Sequence, residues 1–375
     1  MAVIAVTKER RDAETRVALT PDTAKKLIAS GFSVIIESGA GAASYYPDAD
    51  YAAAGAELGD LAAVLSKAEI LFKVRGPTAQ EIAGLKAGAI VVGMLNPHQD
   101  KATLEALAAQ GISAFSMEFV PRITRAQVMD VLSSQANLAG YRAVLEATHA
   151  YGKVLPMMMT AAGTVAAAKV FVMGAGVAGL QAIATARRLG AVVTATDVRP
   201  AAKEQVESLG AKFVAVEDEE FKAAETAAGY AKEMSAEYQA KQAALVSEHI
   251  RKQDIVITTA LIPGRPAPRL VSAAQAASMR PGSVIVDLAV EQGGNVEGVV
   301  AGEVSETGGV KIVGYANLPG RIAADASALY ARNLFAFAGL FLNKDGAFAP
   351  DFEDEILKAA LVTQGGAVVH PALAS

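Results

Sequence analysis

The sequence predicts an α/β protein of two doubly wound domains with parallel sheets and a cleft between them, on three observations. The chain runs to 375 residues, more than one hydrophobic core usually sustains. Short β-branched runs alternate with helical patterns in both halves, the order that builds parallel βαβ units. In the second half an apolar run at 170–173 passes through a glycine-rich turn into a helical pattern. Composition agrees, since 52% hydrophobic and 19% charged residues make a globular chain with little room for disorder.

In the first half, strands are expected at 3–6, 32–37, 70–74, 89–94 and 112–117, with helices at 20–30, 61–67, 79–86 and 103–110. Thr20 offers a capping hydroxyl before Pro21, which suits a first helical turn, and Gly31 follows where a left-handed residue ends a helix. A longer helix is expected over 125–151 from the spacing of Val128, Leu132, Leu138, Tyr141 and Leu145, and it connects the domains. Beyond Pro156 strands follow at 170–173, 192–196, 212–216, 254–259 and 283–288. The apolar helical pattern at 321–342 comes after the second sheet should be complete, so it crosses back. The expected domains are therefore 1–132 with 321–375, and 133–320.

Several classes of function are excluded. A net charge of −5 gives no basic face for nucleic acid. The lack of cysteine removes disulfides, thiolate metal sites and a cysteine nucleophile together, which fits a reducing cytosol, and no metal site is expected. Residues 1–6 run directly into Lys8-Glu9-Arg10-Arg11-Asp12 and read as a strand, not as a secretory leader. The most membrane-like window, 170–186, is interrupted by glycine and short of the roughly 20 apolar residues that a span requires.

The informative segment is 170–197. Gly174-Ala175-Gly176-Val177-Ala178-Gly179 is a G-x-G-x-x-G turn between a strand and a helix. Gly174 suits the tight turn, Gly176 admits a pyrophosphate close to the backbone, and Gly179 lets the helix approach the strand. The helix N-terminus then offers its N–H groups and positive dipole end to phosphate. Such a turn alone also arises for structural reasons. The context adds weight, because the next strand ends at Asp197, 18 residues beyond Gly179, where an acid binds adenosine ribose hydroxyls in a Rossmann-like domain. A carboxylate there repels a 2′-phosphate by about 4 kcal/mol at 4 Å and an effective dielectric near 20, so NAD is expected over NADP. Arg199 could instead receive that phosphate, but Asp197 holds the strand-end position. Gly39-Ala40-Gly41 also follows a strand but lacks a third glycine and reads as a plain loop.

Two openings, Lys8-Glu9 with Glu14-Thr15-Arg16-Val17-Ala18-Leu19-Thr20-Pro21, and Glu37-Ser38-Gly39-Ala40-Gly41, resemble the alanine dehydrogenase and nicotinamide-nucleotide transhydrogenase family. The likeness extends over nearly the whole chain. Three further stretches, 122–135, 156–164 and 229–234, resemble the transhydrogenase branch in particular. That resemblance implies that Arg122, Gln127, Asp130 and Ser133 line a nicotinamide site and act by positioning, and that the stretch around Tyr230 and Met234 closes over bound nucleotide. Motif and resemblance together give the nucleotide-binding set Gly174, Gly176, Val177, Gly179, Asp197, Val198, Arg199, Gly229, Tyr230, Met234 and Leu261. Taken without the resemblance, Thr124-x-x-Gln127 is a capping box that would start the long helix, Asp130 and Ser133 are an ordinary solvated face, and 229–234 is a polar loop.

Within the family the branches part on proton chemistry. Oxidative deamination needs an acid/base group, whereas hydride exchange between two nicotinamide rings needs only apposed rings in a dry site. Asn96 stands where the dehydrogenase pattern has histidine, and Glu291 where it has aspartate. His98 reads as a solvated loop side chain. Arg16 and Lys73 remain, as part of a carboxylate pocket. The resemblance implies hydride transfer between NAD(H) here and NADP(H) on a partner component. It also implies membrane-spanning transhydrogenase subunits as partners, a homodimer, and a place on the cytoplasmic face of the inner membrane. An alanine dehydrogenase-like enzyme and a non-catalytic NAD sensor are the competing readings.

Overall fold

The computed structural model describes residues 1–222, 234–262 and 264–373. The chain divides into two compact units, 1–135 with 319–375, and 136–318. In chain order the first unit opens with β1 (Val3–Val6), α1 (Pro21–Ala29), β2 (Ser33–Glu37), α2 (Asp48–Ala53), β3 (Glu57–Gly59), α3 (Leu61–Lys67), β4 (Ile70–Arg75), α4 (Ala79–Gly84), β5 (Ile90–Met94), α5 (Lys101–Ala109) and β6 (Ser113–Ser116). Next come α6 (Val131–Ala150), β7 (Met158–Thr160), β8 (Gly163–Val165), β9 (Lys169–Met173), α7 (Val177–Arg188), β10 (Val192–Thr196), α8 (Ala202–Ser208), β11 (Lys212–Phe213), α9 (Glu219–Lys222), α10 (Ala236–Ile250), β12 (Ile255–Thr258), α11 (Ala273–Ala277), β13 (Val284–Asp287), β14 (Val304–Thr307) and β15 (Val310–Val313). Last are α12 (Ala323–Ala338), α13 (Glu355–Ala360), β16 (Leu361–Gln364) and β17 (Ala367–Val368).

The first sheet has the order β17-β16-β6-β5-β4-β1-β2-β3, parallel from β3 to β6 and closed by the antiparallel β16 and β17. The second has the order β11-β10-β9-β12-β13-β15-β14, parallel except for its last strand. In both, the strand order reverses beside the first strand, between β1 and β4 and between β9 and β12. Parallel sheets are covered on both faces, so their central strands are continuously apolar. In β9, Val170 and Val172 pack with Ala182, Ile183 and Ala186 of α7, while Phe171 and Met173 face Val246 and Ile250 of α10. In the first unit one face of the sheet packs Ile4 and Val6 against Tyr330, Leu334 and Phe337 of α12, and the other packs Ala5 against Val64, Leu104 and Leu107.

Local signals act as their chemistry dictates at α1, where the Thr20 and Thr23 hydroxyls cap each other's backbone N–H groups and Gly31 takes φ +98°. Elsewhere the structure corrects the expectation. The strand expected over 212–216 is only Lys212–Phe213, because Val216 N–H donates to the Gln242 side chain at 2.9 Å and leaves the ladder. The 158–165 stretch, for which no element is expected, is a hairpin with every strand position exposed. No helix among the described residues is long and apolar enough to cross a membrane.

Candidate functional site

In a doubly wound sheet, ligands bind outside the carboxyl ends of the strands, where the order reverses. In the second unit that place lies at β9 and β12, and it holds the glycine turn. Gly174 has φ +106°, a value costly for residues with a Cβ, and its N–H donates to Thr196 O at 2.8 Å. The Thr259 hydroxyl, just past β12, donates to Gly174 O at 3.1 Å. A Cβ on Gly179 would stand 1.8 Å from Gly174 O, so only glycine lets α7 start this close to the turn. A Cβ on Gly176 would meet nothing within 4 Å, which marks the open side. Helix α7 begins at Val177 with Gly176 as its N-cap, no capping side chain and no acid in its first turn. Its first N–H groups and dipole therefore face that opening with no acidic side chain of its own first turn to compete, and the turn fits a pyrophosphate.

Asp197 follows β10 and is tied into the same turn. Its Oδ2 accepts from Ala175 N–H at 2.7 Å, and Arg199 grips it through N and Nε to Oδ1, both at 2.9 Å, and Nη2 to Oδ2 at 3.0 Å. Burial pushes this carboxyl up, but the bonds from Arg199 and Ala175 hold it below the usual range. The expected rivalry between Asp197 and Arg199 thus becomes one ion pair, in which the arginine turns to its neighbour's carboxylate. Val198 is exposed beside them, and Leu261 is exposed just after β12. Met234 packs partly against the second core and its carbonyl accepts from Gln239 Nε2 at 2.8 Å. Gly229 and Tyr230 lie outside the described residues.

One residue of this site escapes a reading of the sequence. A Cβ on Gly140, in the middle of α6, would fall 2.0 Å from Ala178 O in the first turn of α7. A glycine inside a helical pattern is the signal, since it costs helix stability and calls for a packing reason.

Arg122, Gln127, Asp130 and Ser133 are carried by the first unit. The helix expected from 125 begins only at Val131, and Thr124–Met129 forms a 3-10 helix without the expected Thr124–Gln127 capping box. That turn buries Ala126 and Met129 in the core and gives Val128 O to Asn333 Nδ2 at 2.8 Å. Asp130 then caps α6, accepting from Ser133 N at 2.8 Å and from its hydroxyl at 2.6 Å. Those two are a capping pair, not a solvated face, while Arg122 and Gln127 are exposed.

The carboxyl edge of the first sheet is filled with charge. Lys73 Nζ lies 3.0 Å from Glu81 and 3.4 Å from Glu9, and also donates to Thr7 and to Lys8 O. Arg16 is held by Glu14 through two bonds of 2.7 Å and by Gln135 at 2.7 Å, and Arg75 also reaches Glu14. Burial raises the Glu9 carboxyl; it acts on Glu14 too, but Arg16 and Arg75 override it and bring Glu14 to about 2. Both cations of the remnant carboxylate pocket are therefore bound by this chain's own groups. Asn96 takes φ +50°, donates its N–H to Glu118 at 2.8 Å and its amide to Gln99 at 3.1 Å. His98 packs edge-on to Phe119, with ring centroids 5.4 Å apart, in place of the solvated side chain expected.

Comparison with known proteins gives matches along the chain. The family models described as alanine dehydrogenase/PNT, N-terminal and C-terminal domain, match residues 5–139 and 143–371. The Rhodospirillum rubrum protein named as the first part of NAD(P) transhydrogenase subunit alpha is 53% identical, over 99% of this chain and 98% of that one. The solved transhydrogenase of Sinorhizobium meliloti is 58% identical with a TM-score of 0.90, over 98% of this chain and 100% of that one. A solved L-alanine dehydrogenase superposes with a TM-score of 0.83 at 27% identity, over 99% and 98%.

Proposed function

The chain belongs to the alanine dehydrogenase/PNT family, and from that premise we propose that it is the NAD(H)-binding subunit of a proton-translocating NAD(P) transhydrogenase. It exchanges hydride directly between its own NAD(H) and NADP(H) bound on a partner subunit. The observation that carries this reading, over reaction with a small substrate, is the edge of the first sheet. There Arg16 and Lys73 are already bound by Glu14, Gln135, Glu9 and Glu81, and Asn96 offers no acid/base group. Hydride exchange needs neither a free carboxylate site nor a proton donor.

Bound NAD(H) supplies the hydride, and the chain's own residues position it. The first turn of α7 takes the pyrophosphate, and Asp197, held by Arg199 and Ala175 N–H, takes the adenosine ribose. Arg122 and Gln127 orient the nicotinamide and its ribose, with Asp130 and Ser133 supporting them. A relative that is the first part of a divided subunit alpha implies further parts, so membrane-spanning subunits complete the assembly and this chain docks on their cytoplasmic face. The chain works there as a homodimer. Supporting this, the β7–β8 hairpin exposes Met157, Met158, Met159 and Val165, and a two-stranded hairpin without a covered face is marginal by itself.

The test is reduction of an NADP analogue by NADH with the chain alone and with membranes carrying the remaining subunits. Direct transfer that depends on both is expected, and Gln127→Ala should slow it by about tenfold or more, a loss of roughly 1.4 kcal/mol in transition-state stabilisation. Pyruvate formation from alanine and NAD by the chain alone would instead favour the dehydrogenase reading, and NADH binding without transfer in the full assembly would favour a sensor.

A further inference from the structure

Asn295 is fully buried, and its side-chain amide spends three hydrogen bonds on one feature. Oδ1 accepts from Ala260 N–H at 3.1 Å, while Nδ2 donates to Ala260 O and to Pro268 O, both at 2.8 Å. Its backbone carbonyl also accepts from Leu270 N–H at 2.8 Å and Val271 N–H at 3.1 Å. One side chain thus joins the stretch leaving β12 to the stretch that returns at Pro268. Asn295 is itself fixed by the fully buried Asp287, whose oxygens accept from Ala289 N–H at 2.8 Å and Val296 N–H at 2.9 Å.

What this clip holds is next to the glycine turn. Ala260 follows Thr259, whose hydroxyl bonds Gly174 O. Beyond Ala260 stand Leu261 and Ile262, two large apolar side chains 47% and 43% exposed. An amide both accepts from and donates to a single backbone residue, which neither a carboxylate nor an aliphatic side chain does. An isosteric aspartate would lose both donors, and alanine would leave three part-buried backbone groups without this partner.

We propose that Asn295 is a positioning residue for the nicotinamide nucleotide: it clips Ala260 to Pro268 so that Leu261 and Ile262 stand as an apolar wall beside the pyrophosphate turn. This rests on the reading that the glycine turn binds NAD(H). The wall packs on a ring system of the nucleotide and Asn295 touches no ligand, so its substitution acts through the wall.

A double-mutant cycle on the full chain, read by NADH fluorescence titration, tests this. Asn295→Ala is expected to raise the NADH Kd about tenfold, with Asn295→Asp intermediate. The surface variant Leu261→Ser/Ile262→Ser should raise it by a similar factor with little change in Tm. In that background Asn295→Ala should add less than twofold to Kd while its loss of Tm persists, a pattern that a purely structural role does not produce. An unchanged Kd for the surface variant, or full additivity of the two changes, overturns the proposal. If Asn295→Ala does not fold, Asn295→Asp takes its place in the cycle. Failure of the unsubstituted chain to bind NADH would instead remove the underlying reading, whereas binding that is indifferent to residue 295 removes this inference only.

Discussion

The two sheets begin with the same winding, the first strand lying between the second and the fourth, yet their carboxyl edges carry opposite chemistry. At the edge of β9 there is almost no side chain: Gly174, Gly176 and Gly179 present backbone, and an uncapped helix start faces an opening. At the edge of β1 the space is occupied by Glu9, Glu14, Glu81, Arg16 and Lys73, buried and bound to one another. One edge keeps its hydrogen-bonding capacity for a ligand and the other spends it internally. The comparison stands or falls on whether the two edges respond separately to substitution.

The largest effect on NADH affinity is expected at Gly179. A Cβ there meets the Gly174 carbonyl at 1.8 Å, and a backbone atom cannot rotate aside as a side chain does. Gly179→Ala should therefore displace α7 from the turn and weaken NADH binding by about a hundredfold or more in a fluorescence titration, roughly 2.8 kcal/mol. Its counterpart is Gly41→Ala, whose Cβ would stand 2.5 Å from Tyr46 O and 2.7 Å from the Tyr51 hydroxyl. Overpacking of that kind costs about 1–3 kcal/mol, so Tm should fall while NADH affinity stays within about twofold. Equal loss of affinity in both variants would erase the distinction between the edges.

At the filled edge the corresponding loss, in stability and not in affinity, is that of Glu14→Gln. The Arg16 and Glu14 side chains are 2% and 1% exposed, and removing one partner of such a pair leaves a buried charge, at a cost of about 3–5 kcal/mol. Urea melts of the variant should show that loss with the NADH Kd unchanged below the transition. The same pair sets an acid limb. Glu14 titrates at about 2 in the folded chain against an ordinary 4.5, so its contribution is complete above pH 4.5 and disappears as pH falls towards 2. At about 1.4 kcal/mol per unit this is roughly 3 kcal/mol. Glu9, raised by burial, acts in the opposite direction, because its protonation on acidification favours the fold. Melts at several pH values from about 5 to about 3 should accordingly decline more steeply for the unsubstituted chain than for Glu14→Gln, and parallel declines would deny Glu14 this role.

The difference between the edges also explains which of them is legible in the sequence. The open edge is written locally: a strand, three glycines at fixed spacing and an acid one strand later are contiguous, and each has a backbone reason. The filled edge is assembled from residues far apart along the chain, such as Glu14 with Arg75 or Arg16 with Gln135, and pairing of that kind leaves no periodicity. Arg16 and Lys73 therefore look available in the sequence, whereas in the fold they are fully engaged. Gly140 and Asn295 are hidden for the same reason, since what each touches, Ala178 and Ala260, lies on a different element. The start of α6 differs from expectation because Thr124 and Gln127 satisfy a capping pattern by spacing, while burial of Ala126 and Met129 moves the cap to Asp130.

The smallest effect tests the open edge at its rim. Asp197 accepts from Ala175 N–H inside the turn, and on the proposed reading it also carries the negative charge that sets ribose against 2′-phosphate. Arg199 shares that charge through its paired bonds, so the repulsion felt by a phosphate is well below that of a bare carboxylate. Asp197→Asn keeps an acceptor for Ala175 N–H, removes the charge and releases the Arg199 guanidinium from its ion pair. NADH should then bind somewhat more weakly and NADPH more tightly, changing the ratio of their Kd values by about tenfold, or roughly 1.4 kcal/mol. Titration of both nucleotides against the same preparation measures it. If both affinities fell together, Asp197 would be a support for the glycine turn and the choice of NAD would have to lie elsewhere along the open edge.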